Sequence, residues 1–462
     1  CFGRYDHRIS CTGDAGDGRS GHGGISTWVR GGSGGRAEDG NMYDGNRSDR
    51  QYERCGGADT GQRERNVAFM MEKYQRVYAA IDLDAVHNNM EQMRRSLSLE
   101  TKIIGVIKTD AYGHGAVQIG RELESMDFVS GCATATAEEA VILRRAGLQK
   151  PVLVLGHAFP YCYEELIRNE IRLTVFREDS LEELAACARR LGKPARVHVK
   201  VETGMNRLGI RTDESGLRFV EKTFRMEGIV VEGMYTHFAR ADERDKTSSR
   251  QQLALFRDFM ERVESVPDHP ALVKHCSNSA GILELPEANM DAVRAGIALY
   301  GLWPSQEMER EPVSLQPVLS LKSHIVYIKE VEAGTPVSYG GTYVTPGRMR
   351  IATIPVGYGD GYPRSLSNRG YVLIRGKRAP VLGRICMDQF MVGLDDIPDA
   401  AEGDEVTLIG RDGGFQITME ELGDLSGRFN YELACDLGKR IPRVYIKGGR
   451  IVDTKDYYDD YR

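Results

Sequence analysis

At 462 residues, with 41% hydrophobic and 28% charged side chains, the chain has the make-up of a soluble globular protein and exceeds what one ordinary core fills, so two folded units are expected. The 61 basic and 67 acidic side chains leave a formal charge of -6 spread along the sequence, which gives no electrostatic footprint for nucleic acid or a membrane surface and favours a small-molecule substrate. Nine cysteines without a C-x-x-C pair or a His/Cys ladder indicate neither a disulfide framework nor a metal site. No apolar run approaches a bilayer span and no leader pattern opens the chain, so a cytoplasmic protein with reduced thiols is expected.

Residues 1–69 are dense in Gly, Arg, Asp and Ser, as in GDAGDGRSGHGG, and cannot bury enough apolar surface to offset their ordering entropy. They are expected to be disordered or a non-native extension, since the chain starts at Cys1 while Met70 and Met71 stand just before the first patterned segment. Residues 70–311 follow as the first folded unit, with a first strand at about 75–83 that is open to joining the second unit. Eight strand-like runs come next, at 103–107, 128–134, 152–156, 171–176, 196–203, 230–238, 272–277 and 291–301. Amphipathic segments separate them. Thr136 with Glu139 forms a capping-box pattern, Gly147 closes that helix, and Ser180 with Glu183 opens the next. Strand and helix alternating eight times predict a parallel (β/α)8 barrel; an open doubly wound sheet is the alternative, but no G-x-G-x-x-G follows the first run. Residues 312–462 read as a mostly β domain with frequent Gly and Pro turns and one short helix near 419–425.

The segment Val106-Ile107-Lys108-Thr109-Asp110-Ala111-Tyr112-Gly113-His114-Gly115 places a lysine at the carboxyl end of the first barrel strand, where barrel enzymes carry catalytic groups. Position alone leaves a surface lysine equally open. The glycines of the following turn allow close backbone approach to a ligand, and a desolvated lysine is the side chain that forms a Schiff base with an aldehyde cofactor.

VIKTDAYGHG resembles the cofactor-lysine motif of bacterial alanine racemases. The resemblance continues in order through KVETGMNRLGIR, MYTHFARADE, HCSNSA, VRAGIALYG, VSYGGTY with PVGYGDGYPR, and GRICMDQ, from about Tyr74 to Tyr445. It implies a pyridoxal 5'-phosphate enzyme that interconverts L- and D-alanine, supplies D-alanine for peptidoglycan, and works as a homodimer with an active site shared between subunits. Lys108 then resembles the cofactor lysine and one catalytic base, and Tyr339 the second base, supplied by the other subunit. Arg294 resembles the arginine facing the pyridine nitrogen; always protonated, it donates a hydrogen bond without giving up its proton, which favours racemisation over transamination. His237 would orient Arg294. Tyr112, Ser279 and the amides of Gly296 and Ile297 match phosphate contacts, with His275 and Asn278 behind them. Arg207 matches a group that holds the cofactor's phenolic oxygen and the substrate carboxylate, with the Met387 amide as a further donor. Lys200 matches a lysine carbamylated in some relatives, and Tyr358 a tyrosine that narrows the substrate entrance. One departure is expected, with Lys439 standing where several relatives have a tyrosine that touches the phosphate.

Outside the resemblance, Tyr339 reads equally as a packing tyrosine, Arg294 as a surface ion-pair member and Ser279 as a helix N-cap. Three other functions stay open. A serine or broad-specificity racemase differs by contacts worth only about 1–3 kcal/mol. A decarboxylase of basic amino acids would need an acidic partner at the pyridine nitrogen, and a non-catalytic pyridoxal-phosphate-binding protein would lack the β domain and the cross-subunit tyrosine.

Overall fold

The structure, a computed structural model, describes residues 73–311 and 313–459; the disordered or non-native character expected of residues 1–69 lies outside the described residues. The first strand, Val77–Asp82 (β1), stands apart from the barrel and is described with the second sheet below. Eight strands then close the barrel: Lys102–Val106 (β2), Val129–Thr134 (β3), Val152–Val154 (β4), Arg172–Val175 (β5), Ala195–Lys200 (β6), Ile229–Tyr235 (β7), Val273–His275 (β8) and Ala292–Ala295 (β9). All are parallel, and β9 returns to β2 with Lys102 opposite Ala292 and Gly105 opposite Ala295. A strand covered on both faces needs apolar side chains at every position. That is why the runs were continuous, as at Val152–Val154, where all three residues are buried.

The connecting helices pack outside. Thr136 and Glu139 cap Ala137–Arg145 reciprocally, as the sequence implied. The helix Glu178–Leu191 starts earlier than the Ser180/Glu183 pattern suggested, because Glu178 and Asp179 place acidic groups in its first turn, where the amide dipoles favour them. Several strands end earlier than expected, and three of them by three residues or more, stopping at Lys200, Tyr235 and Ala295. The apolar residues beyond Ala295 form the 3-10 turn Ile297–Tyr300. These early ends release loops at one mouth of the barrel.

The second sheet is built from Leu319–His324 (β10), Tyr327–Val331 (β11), Pro336–Val337 (β12), Tyr343–Val344 (β13), Met349–Ile354 (β14), Tyr371–Ile374 (β15), Lys377–Leu382 (β16), Phe390–Gly393 (β17), Glu405–Asp412 (β18), Phe415–Ile417 (β19), Arg443–Lys447 (β20) and Arg450–Lys455 (β21). Its order is β11-β14-β17-β16-β15-β18-β10-β1-β20-β21, with β19 on β18 and β12–β13 as a separate hairpin. β1 pairs antiparallel with β10 and parallel with β20, so the strand before the barrel is woven into the β domain. The helix Met419–Ser426, capped by Thr418, lies where the sequence placed one. A second helix, Asn430–Asp436, was not expected; with seven residues it is too short to show a helical period.

Candidate active site

A cavity of about 670 Å³ opens where the barrel strands end, lined by Lys108, Arg207, His237, Ser279, Arg294 and Tyr431 among others. Carboxyl-terminal strand ends are where barrels assemble chemistry.

Lys108 begins a reversed turn. Thr109, Asp110, Ala111 and Tyr112 all take left-handed conformations, with φ of 54°, 51°, 56° and 52°. Each such residue costs about 1–2 kcal/mol against the right-handed form, so the turn must be held from outside. The Asp110 carboxylate accepts from the Ala116 amide at 2.8 Å, from Lys455 Nζ at 3.1 Å and from the Tyr457 hydroxyl. Glu139 accepts from the Thr109 amide at 2.6 Å, and Arg443 Nε donates to the Gly113 carbonyl at 2.9 Å. His114 Nδ1 faces two carbonyls, Ala111 at 3.0 Å and Tyr112 at 2.9 Å, so it carries the proton and donates. The reversal turns Lys108 and Tyr112 into the same cavity, with Nζ 5.9 Å from the Tyr112 ring centre. Burial first, and then the Arg207 cation, push the Lys108 amine below its usual pKa; Cys435 and Glu139 oppose this. A lowered lysine is a better nucleophile at neutral pH.

Arg294 is 2% exposed at the end of β9 and tightly bound. One terminal nitrogen donates to His275 Nδ1 at 2.7 Å and to the His275 carbonyl at 2.9 Å. The other donates to the carbonyls of Thr236 and Cys276, both at 2.7 Å, with His237 Nδ1 at 3.3 Å. His275 is thus the shorter imidazole partner, where the sequence reading gave the orienting role to His237. Those bonds engage the four terminal N–H protons. Nε–H is the one guanidinium donor left without a partner among the described residues. Burial lowers the Arg294 pKa to about 10, with Arg207 adding to the effect and Tyr235 and Cys276 opposing it. Burial and the cations Arg294, Arg207, Lys200 and Lys108 hold His237 well below the ordinary imidazole value, so it is neutral. Lys200 is 4% exposed and donates to the Val201 carbonyl at 2.7 Å. Burial lowers it to about 8, with Arg294 and Arg207 lowering it further and Glu202 opposing. Arg207 itself is exposed on the loop after β6, its amide donating to Glu202 at 3.3 Å.

The opposite end of the cavity suits an anion. Ser279 Oγ accepts from the amides of Gly296 at 2.9 Å and Ala298 at 3.2 Å, so its own proton is free to be donated elsewhere. Asn278 caps the short helix Ser279–Glu284 by accepting from Gly281 at 3.0 Å. A Cβ placed on Gly296 would lie 3.3 Å from the Tyr112 hydroxyl and 3.5 Å from Ser279 Oγ. Two hydroxyls therefore converge on bare backbone, and Ile297 lines the same space. This donor set fits a phosphate.

Three expected site residues do not join this cavity within one chain. Tyr339 and Met387 are 70% and 52% exposed and line a separate surface depression of about 720 Å³. Tyr358, 42% exposed, adjoins them: its amide donates to Cys386 at 3.1 Å, and the Gly359 amide to Met387 at 2.8 Å. Lys439 is exposed and does not line the cavity, whereas Tyr431 of the same segment does, its ring centre 6.1 Å from that of Tyr112. The phosphate end therefore keeps an aromatic wall. Asp110 and Glu139 as supports of the lysine turn were also missed. The capping box at Glu139 was the one available signal, and it pointed to a helix start rather than to Thr109.

Family models of the alanine racemase N-terminal and C-terminal domains match residues 81–304 and 318–445. The chain is 44% identical over 371 residues to an alanine racemase of Desulforamulus reducens, covering 80% of this chain and 99% of that one. It is 41% identical over 371 residues to one of Methanococcus maripaludis, covering 80% and 98%. Among solved structures, alanine racemase of Clostridium difficile 630 superposes with a TM-score of 0.79 at 38% identity, covering 83% of this chain and 98% of that one. Alanine racemase from Bacillus anthracis with bound L-Ala-P gives 0.79 at 35% identity, covering 84% and 99%.

Proposed function

The chain belongs to the alanine racemase family, and from that premise we propose that it interconverts L- and D-alanine with two acid/base groups, Lys108 of one subunit and Tyr339 of a second copy. The product D-alanine serves peptidoglycan synthesis in the cytoplasm. Pyridoxal 5'-phosphate, when bound, supplies an aldehyde for the lysine and an electron sink that makes the substrate Cα–H acidic. Tyr112, Ser279 and the Ile297 amide would hold its phosphate over the bare backbone of Gly296, whose own amide donates to Ser279 Oγ, and the spare Ser279 proton supports that role. Arg294 offers Nε–H to the ring nitrogen. An arginine there would keep its proton rather than give it to the ring nitrogen, which would favour racemisation over transamination. Arg207 and the Met387 amide bind the substrate carboxylate, and Tyr358 narrows the entrance.

Racemisation needs a proton removed from one side of Cα and delivered from the other. Lys108 serves one side through its lowered amine. Tyr339 is too exposed, and too far outside the Lys108 cavity, to serve its own chain, which supports a homodimer in which each copy completes the other's site. Lys200 carries a carbamate in this reading. Its amine, lowered to about 8 beside Arg207 and Arg294, is partly neutral at physiological pH, and an anion there relieves the crowding of three cations. An intact Lys200 amine in active crystals would overturn the modification.

The observation that carries the proposal is the meeting of Lys108, with its lowered amine, and Arg294, with one free donor, in a single barrel-mouth cavity. The test follows loss of optical rotation of L-alanine with wild type, Lys108→Ala and Tyr339→Phe, and compares serine and lysine as substrates. Lys108→Ala is expected to be inactive, and Tyr339→Phe to lose proton exchange from one enantiomer. Full activity without Lys108 would end the proposal; serine turning over as fast as alanine would replace the alanine assignment with the broader one.

A further inference from the structure

His198 sits inside β6, opposite Gly233 of β7. A Cβ on Gly233 would fall 2.7 Å from both Cε1 and Nδ1 of His198, so the imidazole occupies the space that the missing side chain leaves. From there His198 Nδ1 lies 3.0 Å from His275 Nε2, and His275 Nδ1 lies 2.7 Å from the Arg294 guanidinium. His198 is 7% exposed and His275 fully buried. Tyr235 stacks on His275 at 4.7 Å between ring centres, and its hydroxyl is tied to Thr174 at 2.9 Å, so the middle of the line is clamped.

The proton positions along this line are forced. Arginine only donates, so His275 Nδ1 accepts. A neutral His275 then carries its single ring proton on Nε2 and donates it to His198 Nδ1. His198, with Nδ1 accepting, keeps its own proton on Nε2. His198 also lines a second cavity, of about 480 Å³, whose walls include Ser130, Pro151, Arg172, Glu232 and Val273. Pro151 precedes its strand and Arg172 and Val273 begin theirs, so this cavity lies at the barrel end away from Lys108. The charged groups acting on His198 are Glu232, Arg172 and Arg294; on His275 they are Arg294, His198 and Lys200. Burial keeps both rings neutral, His198 down to about 4 and His275 well below the ordinary value, as the line requires.

We propose that His198 is a positioning residue for the racemase reaction: by accepting from His275 Nε2–H it locks His275 in the tautomer whose Nδ1 accepts from Arg294, and so steadies the guanidinium from the far end of the barrel. The alternative tautomer would set an N–H of His275 against an N–H of Arg294. This inference rests on the racemase reading for its consequence, but the tautomer assignment stands on the hydrogen-bond line alone.

The test joins 15N-histidine NMR of the full-length protein, with and without cofactor, to kinetics of His198→Leu and His198→Asn. In wild type, His275 is expected to show a protonated, pyrrole-like Nε2 and a pyridine-like Nδ1 in both states. His198→Leu removes the acceptor, and kcat for alanine is expected to fall about ten-fold with KM within about two-fold, the scale of one orphaned buried donor. His198→Asn offers an amide oxygen in place of Nδ1 and is expected to restore most of kcat. A protonated His275 Nδ1 in wild type, an unchanged kcat in His198→Leu, or equal losses in both variants would overturn the proposal. Wild type that leaves alanine untouched would sink the racemase reading instead, while the cofactor-free spectra would still decide the tautomer.

Discussion

Lowering the pH from 7 to 5 should destabilise this protein through its buried histidines, by an amount that one substitution reduces predictably. His114, His198 and His275 are 1%, 7% and 0% exposed, and burial depresses all three below the unfolded value of 6.5, His114 and His198 to about 4. With folded pKa values depressed, the unfolded chain binds these protons first. Stability present above pH 6.5 is therefore lost as the pH falls toward about 4. Each fully protonated unfolded histidine contributes a slope of about 1.4 kcal/mol per pH unit, so these three together with His237, also held well below that value, give roughly 5 kcal/mol per unit between pH 6 and 5. Over its whole window His114 alone accounts for about 3 kcal/mol. Carboxylates with lowered pKa values, such as Asp110, titrate below this range, and Lys200, at about 8, titrates above it. The assay is urea unfolding at fixed protein concentration and cofactor occupancy across pH 7 to 5, extrapolated linearly. His114→Asn keeps an N–H for the Ala111 and Tyr112 carbonyls but cannot titrate. Its packing loss shifts every point equally, whereas its slope should be shallower by about 1.4 kcal/mol per pH unit. A slope unchanged in that variant, or a wild type whose stability is flat from pH 6 to 5, would refute the reasoning.

Gly296→Ala places a methyl 3.3 Å from the Tyr112 hydroxyl and 3.5 Å from Ser279 Oγ. Gly296 has φ -103° and ψ -111°, outside the regions a side chain with a Cβ favours, so some stability is lost along with the space for phosphate, and cofactor affinity should drop roughly ten-fold or more, read by fluorescence titration of the folded, cofactor-free protein. Asp110→Asn keeps an acceptor for Ala116 but removes the charge that binds Lys455, in a turn of four left-handed residues. It should cost about 1–3 kcal/mol of stability by urea unfolding and speed cofactor loss on dilution.

The sequence carried the barrel because a strand covered on both sides must be apolar throughout, and eight such runs alternated with capped helices. The same property hid the strand ends. VRAGIALYG is nearly all apolar, and nothing local marks where β9 stops and the turn at Gly296 begins; tertiary contacts through Ser279 decide it. Lys108 was legible because a glycine-flanked turn follows it. His198 was not, since its meaning lies in a contact 77 residues away across two strands, which spacing cannot reveal. Tyr431 was overlooked for a related reason. It enters the cavity from a helix of seven residues whose register the sequence leaves undetermined.

The β domain holds the lysine turn of its own chain and, in the homodimer proposed above, would also complete the partner's site. Within one chain, Lys455 and Tyr457 of its last segment and Arg443 of β20 grip the turn that carries Lys108. Tyr339 and Met387 of the same domain face away from that turn, on a depression of their own. If each copy lends Tyr339 to the other, two damaged chains can repair one site. A dimer of Lys108→Ala with Tyr339→Phe has one site lacking both groups and one site with an intact Lys108 and an intact Tyr339. Unfolding and refolding an equal mixture gives half mixed dimers by random pairing, each with one of its two sites restored, so about a quarter of wild-type activity should return from two impaired parents. Activity that stays at the average of the two parents after exchange, with mixed dimers demonstrated by a mass tag on one chain, would show that each subunit uses its own Tyr339 or none.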